Sequence, residues 1–254
     1  MDTRNPTPWL SDGEHRDCRN CLARQMSVCA NIDQVGLAKL QEISRPALFT
    51  KGRVVFEQDS PLDYVFLITG GMVKLFRLLA DGGRQVTGFL GPGDLLGGIK
   101  RSAGAYCTAQ AIVDVTACVF PRAGFLRLLQ EYPDLCFSLL ITATDEIEAH
   151  NDHIILLGHR RVPQRLAAFL LVLGHRWKTN GADGTVVQLP MARSDIADYL
   201  GLTIETVSRA FAEFKRLGYI ALPKTSQAVL LNLPALYELA GFEDMPTPRV
   251  SLGL

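Results

Sequence analysis

The sequence predicts an α+β chain in which a short-stranded β module comes first, a long helix follows, and a winged helix-turn-helix comes last. Three observations predict it. Between Leu48 and Pro121, β-type runs alternate with Gly-, Pro- and Asp-containing turns at a spacing of roughly 8–12 residues, the pattern of a β-barrel or sandwich-like module. From Asp134 to Leu157, bounded by Pro133 and Gly158, apolar residues recur at intervals of seven. Pro190 to Ile220 reads as a helix, a turn at Gly201-Leu202, and a second helix opening after Thr203, a favourable N-cap residue.

A length of 254 residues accommodates two sizeable cores, and 48% hydrophobic with 20% charged residues is a globular composition. The longest nearly unbroken apolar stretch, Leu166 to Leu173, is too short to span a bilayer, and no basic, apolar, cleavable leader opens the chain. A cytoplasmic protein is therefore expected, with no membrane partner. Net charge is zero, yet residues 1–157 carry 15 Lys and Arg against 18 Asp and Glu (−3), and residues 158–254 carry 11 against 8 (+3). The positive end is the one a phosphate backbone requires.

Taken in order, the chain opens on a polar segment holding Cys18, Cys21 and Cys29. Clustered thiols in a reducing compartment read as metal ligands more readily than as disulfides, with incidental or redox-active thiols as the alternative. Thiolates suit iron–sulfur clusters and zinc alike, and a fourth ligand would come from Cys107, Cys118 or Cys136. The β module follows, with strands expected at Val54–Phe56, Tyr64–Ile68, Val73–Leu78, Val86–Leu90 and Ala109–Val115. A short helix is expected over Phe125–Leu129. In the long helix Leu140, Ile147 and Ile154 form one row, and Cys136, Ala143, His150 and Leu157 its companion. Such an a/d seam suggests parallel pairing with a second subunit, the alternative being a helix packed on its own domain. Leu166 to Trp177 reads as an apolar helix, and Lys178 to Gly184 as a polar loop.

The second helix of the helix-turn-helix has an oily back of Val207, Ala210, Phe211, Phe214 and Leu217. Its front gathers Glu205, Ser208, Arg209 and Ala212. A small polar front suits the major groove, where Glu accepts from cytosine and Arg forks onto guanine. Tyr219–Leu222 and Ala228–Leu233 read as the hairpin of the wing. No His/Asp/Ser set stands at catalytic spacing, so no enzyme is expected.

This order of parts resembles the cyclic-AMP receptor protein/FNR superfamily, and within it the FNR-type oxygen regulators. The words that carry the resemblance are RLAAFL at Arg165–Leu170, DIADYLGLTIETVSR at Asp195–Arg209, and the spacing of Cys18, Cys21 and Cys29. The resemblance implies a cysteine-rich segment at residues 1–30 and a β-roll sensor at 31–132, a double-stranded β-helix like those that bind cyclic nucleotides. It further implies a dimerisation helix at 133–158 and a winged helix-turn-helix at 159–245. It implies a homodimer joined through Leu140, Ala143, Ile147, His150, Ile154 and Leu157. Double-stranded DNA would be read as a TTGAT-n4-ATCAA-like palindrome by Thr203, Ile204, Glu205, Ser208 and Arg209, with RNA polymerase as a further partner. An oxygen-labile [4Fe–4S] cluster is implied on Cys18, Cys21, Cys29 and Cys118, since the family's distant cysteine is separated from a Pro by two residues, as Cys118 is from Pro121 by Val119 and Phe120.

Arg101-Ser102-Ala103 copies the phosphate-binding tripeptide of cyclic-nucleotide receptors but stands about four residues out of register. Control by a cyclic nucleotide is the alternative this leaves, and a zinc-stabilised protein using the same thiols is another. His150 replaces an acid often found near that position of the family's dimer helix, so dimerisation is expected to weaken as pH falls through the range where imidazole gains its proton.

Overall fold

The computed structural model describes residues 18, 21–30, 32–97, 104–179 and 184–241. The chain divides into two compact units. The first holds the residues up to Gly83 together with Thr87–Thr144, and the second holds those from Asp145 onward together with Arg84–Val86.

In the first unit, α1 (Gln34–Ile43) begins where the Asp33 carboxylate accepts from the Gly36 N–H at 2.7 Å, filling one of the orphan donors of a helix start. It stops at Ser44, ahead of the Arg45-Pro46 pair that favours extended backbone. Eight strands follow: β1 (Arg45–Phe49), β2 (Val54–Phe56), β3 (Tyr64–Gly70), β4 (Val73–Leu78), β5 (Arg84–Leu90), β6 (Leu95–Leu96), β7 (Thr108–Ala111) and β8 (Val115–Pro121). They form two four-stranded sheets, in the orders β1-β8-β3-β6 and β2-β7-β4-β5. The roll closes around Phe49, Phe66, Ile68, Leu75, Cys107, Ala109, Ala117 and Val119.

Strands β3 and β8 bury both faces, because side chains alternate along a strand and each face meets a different core. Phe66 and Ile68 enter the roll, while Val65 and Leu67 turn outward under α1 and α2 (Arg122–Glu131). On β8, Ala117 and Val119 face inward, whereas Cys118 and Phe120 join the outer cluster with Cys18 and Cys29.

Several sequence expectations are corrected. Ala109–Val115 is not one strand: β7 ends at Ala111 and β8 starts at Val115, because the chain turns where the Asp114 carboxylate accepts from the Lys51 N–H at 2.8 Å. The short helix is longer than Phe125–Leu129, and the long helix α3 (Pro133–His159) runs through Gly158. Helix α1 and strands β1 and β6 were not expected. Arg101, Ser102 and Ala103 lie outside the described residues.

The second unit contains the end of α3, then α4 (Val162–Thr179), β9 (Val186–Gln188), α5 (Arg193–Leu200), α6 (Ile204–Arg216), β10 (Ile220–Lys224), β11 (Gln227–Leu230) and α7 (Leu233–Ala240). The near-continuous apolar run of α4 fits its place, since Leu166, Ala167, Phe169, Leu170 and Leu173 are buried and the helix packs against α6, α7 and β9. The wing is a three-stranded sheet in the order β10-β11-β9. Strand β9 and helix α7 complete this unit beyond the hairpin that the sequence suggested. Among the described residues no helix is long and apolar enough to cross a membrane.

Candidate nucleic-acid interface and thiol pocket

Helices α5 and α6 are joined by Gly201, whose φ of 62° lies in the left-handed region and ends α5. Thr203 then caps α6, its hydroxyl oxygen accepting from the Thr206 N–H at 3.2 Å. Val207, Ala210, Phe211 and Phe214 are buried, which leaves Thr203, Ile204, Glu205, Ser208 and Arg209 exposed together along the front. Leu217 does not belong to the buried face: it is 44% exposed, because α6 ends at Arg216 and the chain turns at Gly218 with φ 72°.

Two contacts hold this surface. The Arg193 guanidinium, at the start of α5, lies 3.6 Å from the centroid of the Phe211 ring and clamps the two helices together. Glu205 is held below the usual carboxylate range by its own backbone N–H and the Thr203 hydroxyl, with Arg209 adding to the effect. The front therefore offers an anionic acceptor and a cationic fork one helical turn apart, with small Ser208 between them.

In the first unit Cys18, Cys21, Cys29 and Cys118 line a single pocket, whose walls include Leu37, Leu40, Leu67, Phe120 and Arg24. Burial pushes the Cys29 thiol up to about 11, and Cys18 and Cys21 push it the same way, against the opposing influence of Ser27 and Arg24. Cys107 is elsewhere, facing the interior of the roll, where burial pushes its thiol up to about 11 as well. Cys136 is exposed on α3. Among the described residues, no three His, Cys, Asp or Glu side chains are grouped closely enough to hold a single metal ion.

The segment carrying Cys21 and Cys29 is seated on the turn before β6. Gly93, with φ 97°, approaches so closely that a Cβ there would stand 2.6 Å from the Met26 carbonyl oxygen. Nothing in the cysteine spacing signals this approach or the place of Arg24 in the pocket wall.

On α3, Leu140, Ile147 and Ile154 are 62%, 62% and 66% exposed, and Ala143 is exposed beside them. His150 is half-buried, its Nδ1 donating to the Glu146 carbonyl oxygen at 2.7 Å. Leu157 is half-buried against the Gly201 turn. Three residues after His150, the His153 ring stacks on Tyr199 at 4.1 Å between centroids, a pair that sequence reading missed because it joins α3 to α5 across a long stretch of chain.

Comparison with known proteins agrees with this layout. Residues 164–239 match the Crp-like helix-turn-helix domain, and residues 47–132 match the cyclic nucleotide-binding domain. The nitrogen fixation regulation protein FixK of Bradyrhizobium diazoefficiens is 39% identical, over 81% of this chain and 86% of its own. The transcriptional activator protein FnrL of Cereibacter sphaeroides is 33% identical, over 89% of this chain and 92% of its own. The solved structure of FixK2 from Bradyrhizobium japonicum superposes with a TM-score of 0.71 at 31% identity, covering 78% of this chain and 97% of that one. With a β-roll, a long helix and a winged helix-turn-helix in the same order, and relatives that are regulators and not enzymes, the chain belongs to the CRP/FNR family of DNA-binding transcription regulators, which act as dimers.

Proposed function

We propose that this cytoplasmic regulator responds to oxygen through a [4Fe–4S] cluster on Cys18, Cys21, Cys29 and Cys118 and controls anaerobic or microaerobic genes. The observation that carries the reading is that these four thiols, and neither Cys107 nor Cys136, line one pocket with apolar walls. Soft thiolate donors in a pocket lined by Leu37, Leu40, Leu67 and Phe120 suit iron–sulfur ligation. When bound, the cluster would supply an oxygen-labile link between the N-terminal segment and β8.

The chain's own residues do the rest. Cys118 projects outward from β8 because its neighbours Ala117 and Val119 fill the roll, so a ligand held there ties the cysteine segment to the sensor sheet. Leu140, Ala143, Ile147, His150, Ile154 and Leu157 pair two copies along α3, where the exposed apolar row invites a partner helix. Thr203, Ile204, Glu205, Ser208 and Arg209 read each half of a TTGAT-n4-ATCAA-like palindrome, and the bound dimer engages RNA polymerase.

The match of residues 47–132 to the cyclic nucleotide-binding domain favours a second reading, control by a cyclic nucleotide. Two measurements separate the readings. Protein purified without air is expected to be brown with iron and sulfide bound, and to lose the colour on exposure to oxygen. A colourless zinc protein, or a protein that binds cyclic AMP in isothermal titration, contradicts the proposal. Serine at Cys118 is expected to abolish the chromophore, and serine at Cys107 or Cys136 to leave it. Full iron and sulfide content in the Cys118→Ser protein refutes the ligand assignment.

A further inference from the structure

Arg165, near the start of α4, makes its three closest hydrogen bonds to carbonyls drawn from three places in the second unit, with a longer fourth from Nη1 to Gly201 O at 3.5 Å. Its Nη2 donates to Leu157 O at 2.7 Å, its Nε to Arg160 O at 2.9 Å, and its Nη1 to Leu200 O at 2.9 Å. Leu157 belongs to the last turn of α3, Arg160 follows that helix directly, and Leu200 is the last residue of α5. The last four carbonyls of a helix have no partner within it. One guanidinium thus satisfies the end of the long helix and the end of the first helix of the DNA-binding pair. Only Arg can do so, since its planar fork presents donors in fixed directions and a Lys ammonium is a single point on a flexible stem.

The turn between α5 and α6 rests on this clasp. A Cβ at Gly201 would stand 3.4 Å from Leu157 Cδ2 and 3.5 Å from Arg165 Nη1, so backbone, leucine and guanidinium are in contact. Helix α6 begins at Ile204, three residues further on. The N-terminal end of the helix that faces DNA is therefore referred, through one side chain, to the end of α3.

In a dimer paired along α3, that reference decides how far apart and at what rotation the two copies of α6 stand. Each added base pair between half-sites moves them apart by about 3.4 Å and turns one relative to the other by about 35°. We propose that Arg165 is a positioning residue that sets the half-site spacing the dimer accepts. A fork to three carbonyls resists the tilt of α5 and α6 that an altered spacer demands, and a side chain without it allows the tilt. The pairing along α3 belongs to the proposed function, but no particular half-site sequence is needed.

The test is selection from a pool of randomised duplexes with full-length, anaerobically purified wild type, Arg165→Met and Arg165→Lys, followed by sequencing of the retained duplexes. Wild type is expected to retain palindromes of one spacing. In Arg165→Met, retention of sites one base pair longer or shorter is expected to rise about tenfold relative to the preferred spacing, the worth of one lost charge-assisted hydrogen bond. Arg165→Lys, which keeps the charge and should fold even if Arg165→Met does not, is expected to broaden the spacing in the same direction. The half-site sequence is expected to stay the same in all three. Variants that keep a single spacing overturn the proposal. So does wild type that already accepts several, or a uniform fall in retention with no broadening, which would mark Arg165 as merely stabilising. A half-site other than TTGAT would count against the proposed palindrome and leave the spacing result readable.

Discussion

His153 offers a stability switch whose size follows from its surroundings. Burial lowers its pKa from 6.5 to about 4, with the charges of His150 and Arg165 acting in the same direction and a backbone hydrogen bond at Tyr199 acting against them. The ring is stacked on Tyr199 at 4.1 Å and is neutral in the folded protein at neutral pH. A depressed histidine pKa means that between the two values the unfolded chain binds a proton that the folded one does not, so stability falls as pH falls. The contribution is intact above pH 6.5, is lost between 6.5 and about 4, and changes no further below that. A difference of some 2.5 units corresponds to about 3 kcal/mol in total, and about 2 kcal/mol is already lost at pH 5. The assay is denaturant unfolding of wild type and His153→Phe from pH 7.5 to pH 4, accompanied by NMR titration of the His153 ring. Phenylalanine keeps the stacked ring and removes the proton, so the difference between the two stability curves isolates His153 from the titrating carboxylates. Parallel curves, or a ring that titrates near 6.5, would refute the reasoning.

Two further perturbations probe the DNA-reading surface and the cysteine segment. Arg209→Ala is expected to cost about 1–3 kcal/mol at the cognate palindrome and much less on random DNA, measured by fluorescence anisotropy; equal losses on both would show that Arg209 contacts phosphate and not a base. Gly93→Ala requires a left-handed φ for a residue with a side chain and drives its Cβ into the Met26 backbone, so a loss of about 1–3 kcal/mol is expected; an unchanged midpoint in denaturant would contradict this close approach.

The turn and the start of the second helix of the DNA-reading unit were legible in the sequence because their signals are local. Gly201 permits the turn, Thr203 caps the helix, and buried residues recur with the helical period from Val207 to Phe214. The same wheel misled at Leu217, where the period continues in sequence after the helix has stopped in space. The row of Leu140, Ile147 and Ile154 was equally legible, since the interval of seven needs no partner to be seen. Strand β9 was not: three residues become a strand only when Val186, Val187 and Gln188 pair with β11.

The sequence by itself determined the long helices and most strands of the roll, the Thr203 cap of α6, and that three thiols lie close along the chain. Only the tertiary structure decided that Cys118 shares their pocket while Cys107 turns into the roll. That choice depends on which face of each strand meets which core, and alternation leaves it open until the sheets close. Only the tertiary structure, too, brought Arg165 to three carbonyls and His153 to Tyr199. Propensity and periodicity act over a few neighbouring residues, whereas an unsatisfied helix end or a buried ring finds its partner wherever the folded chain brings one within reach.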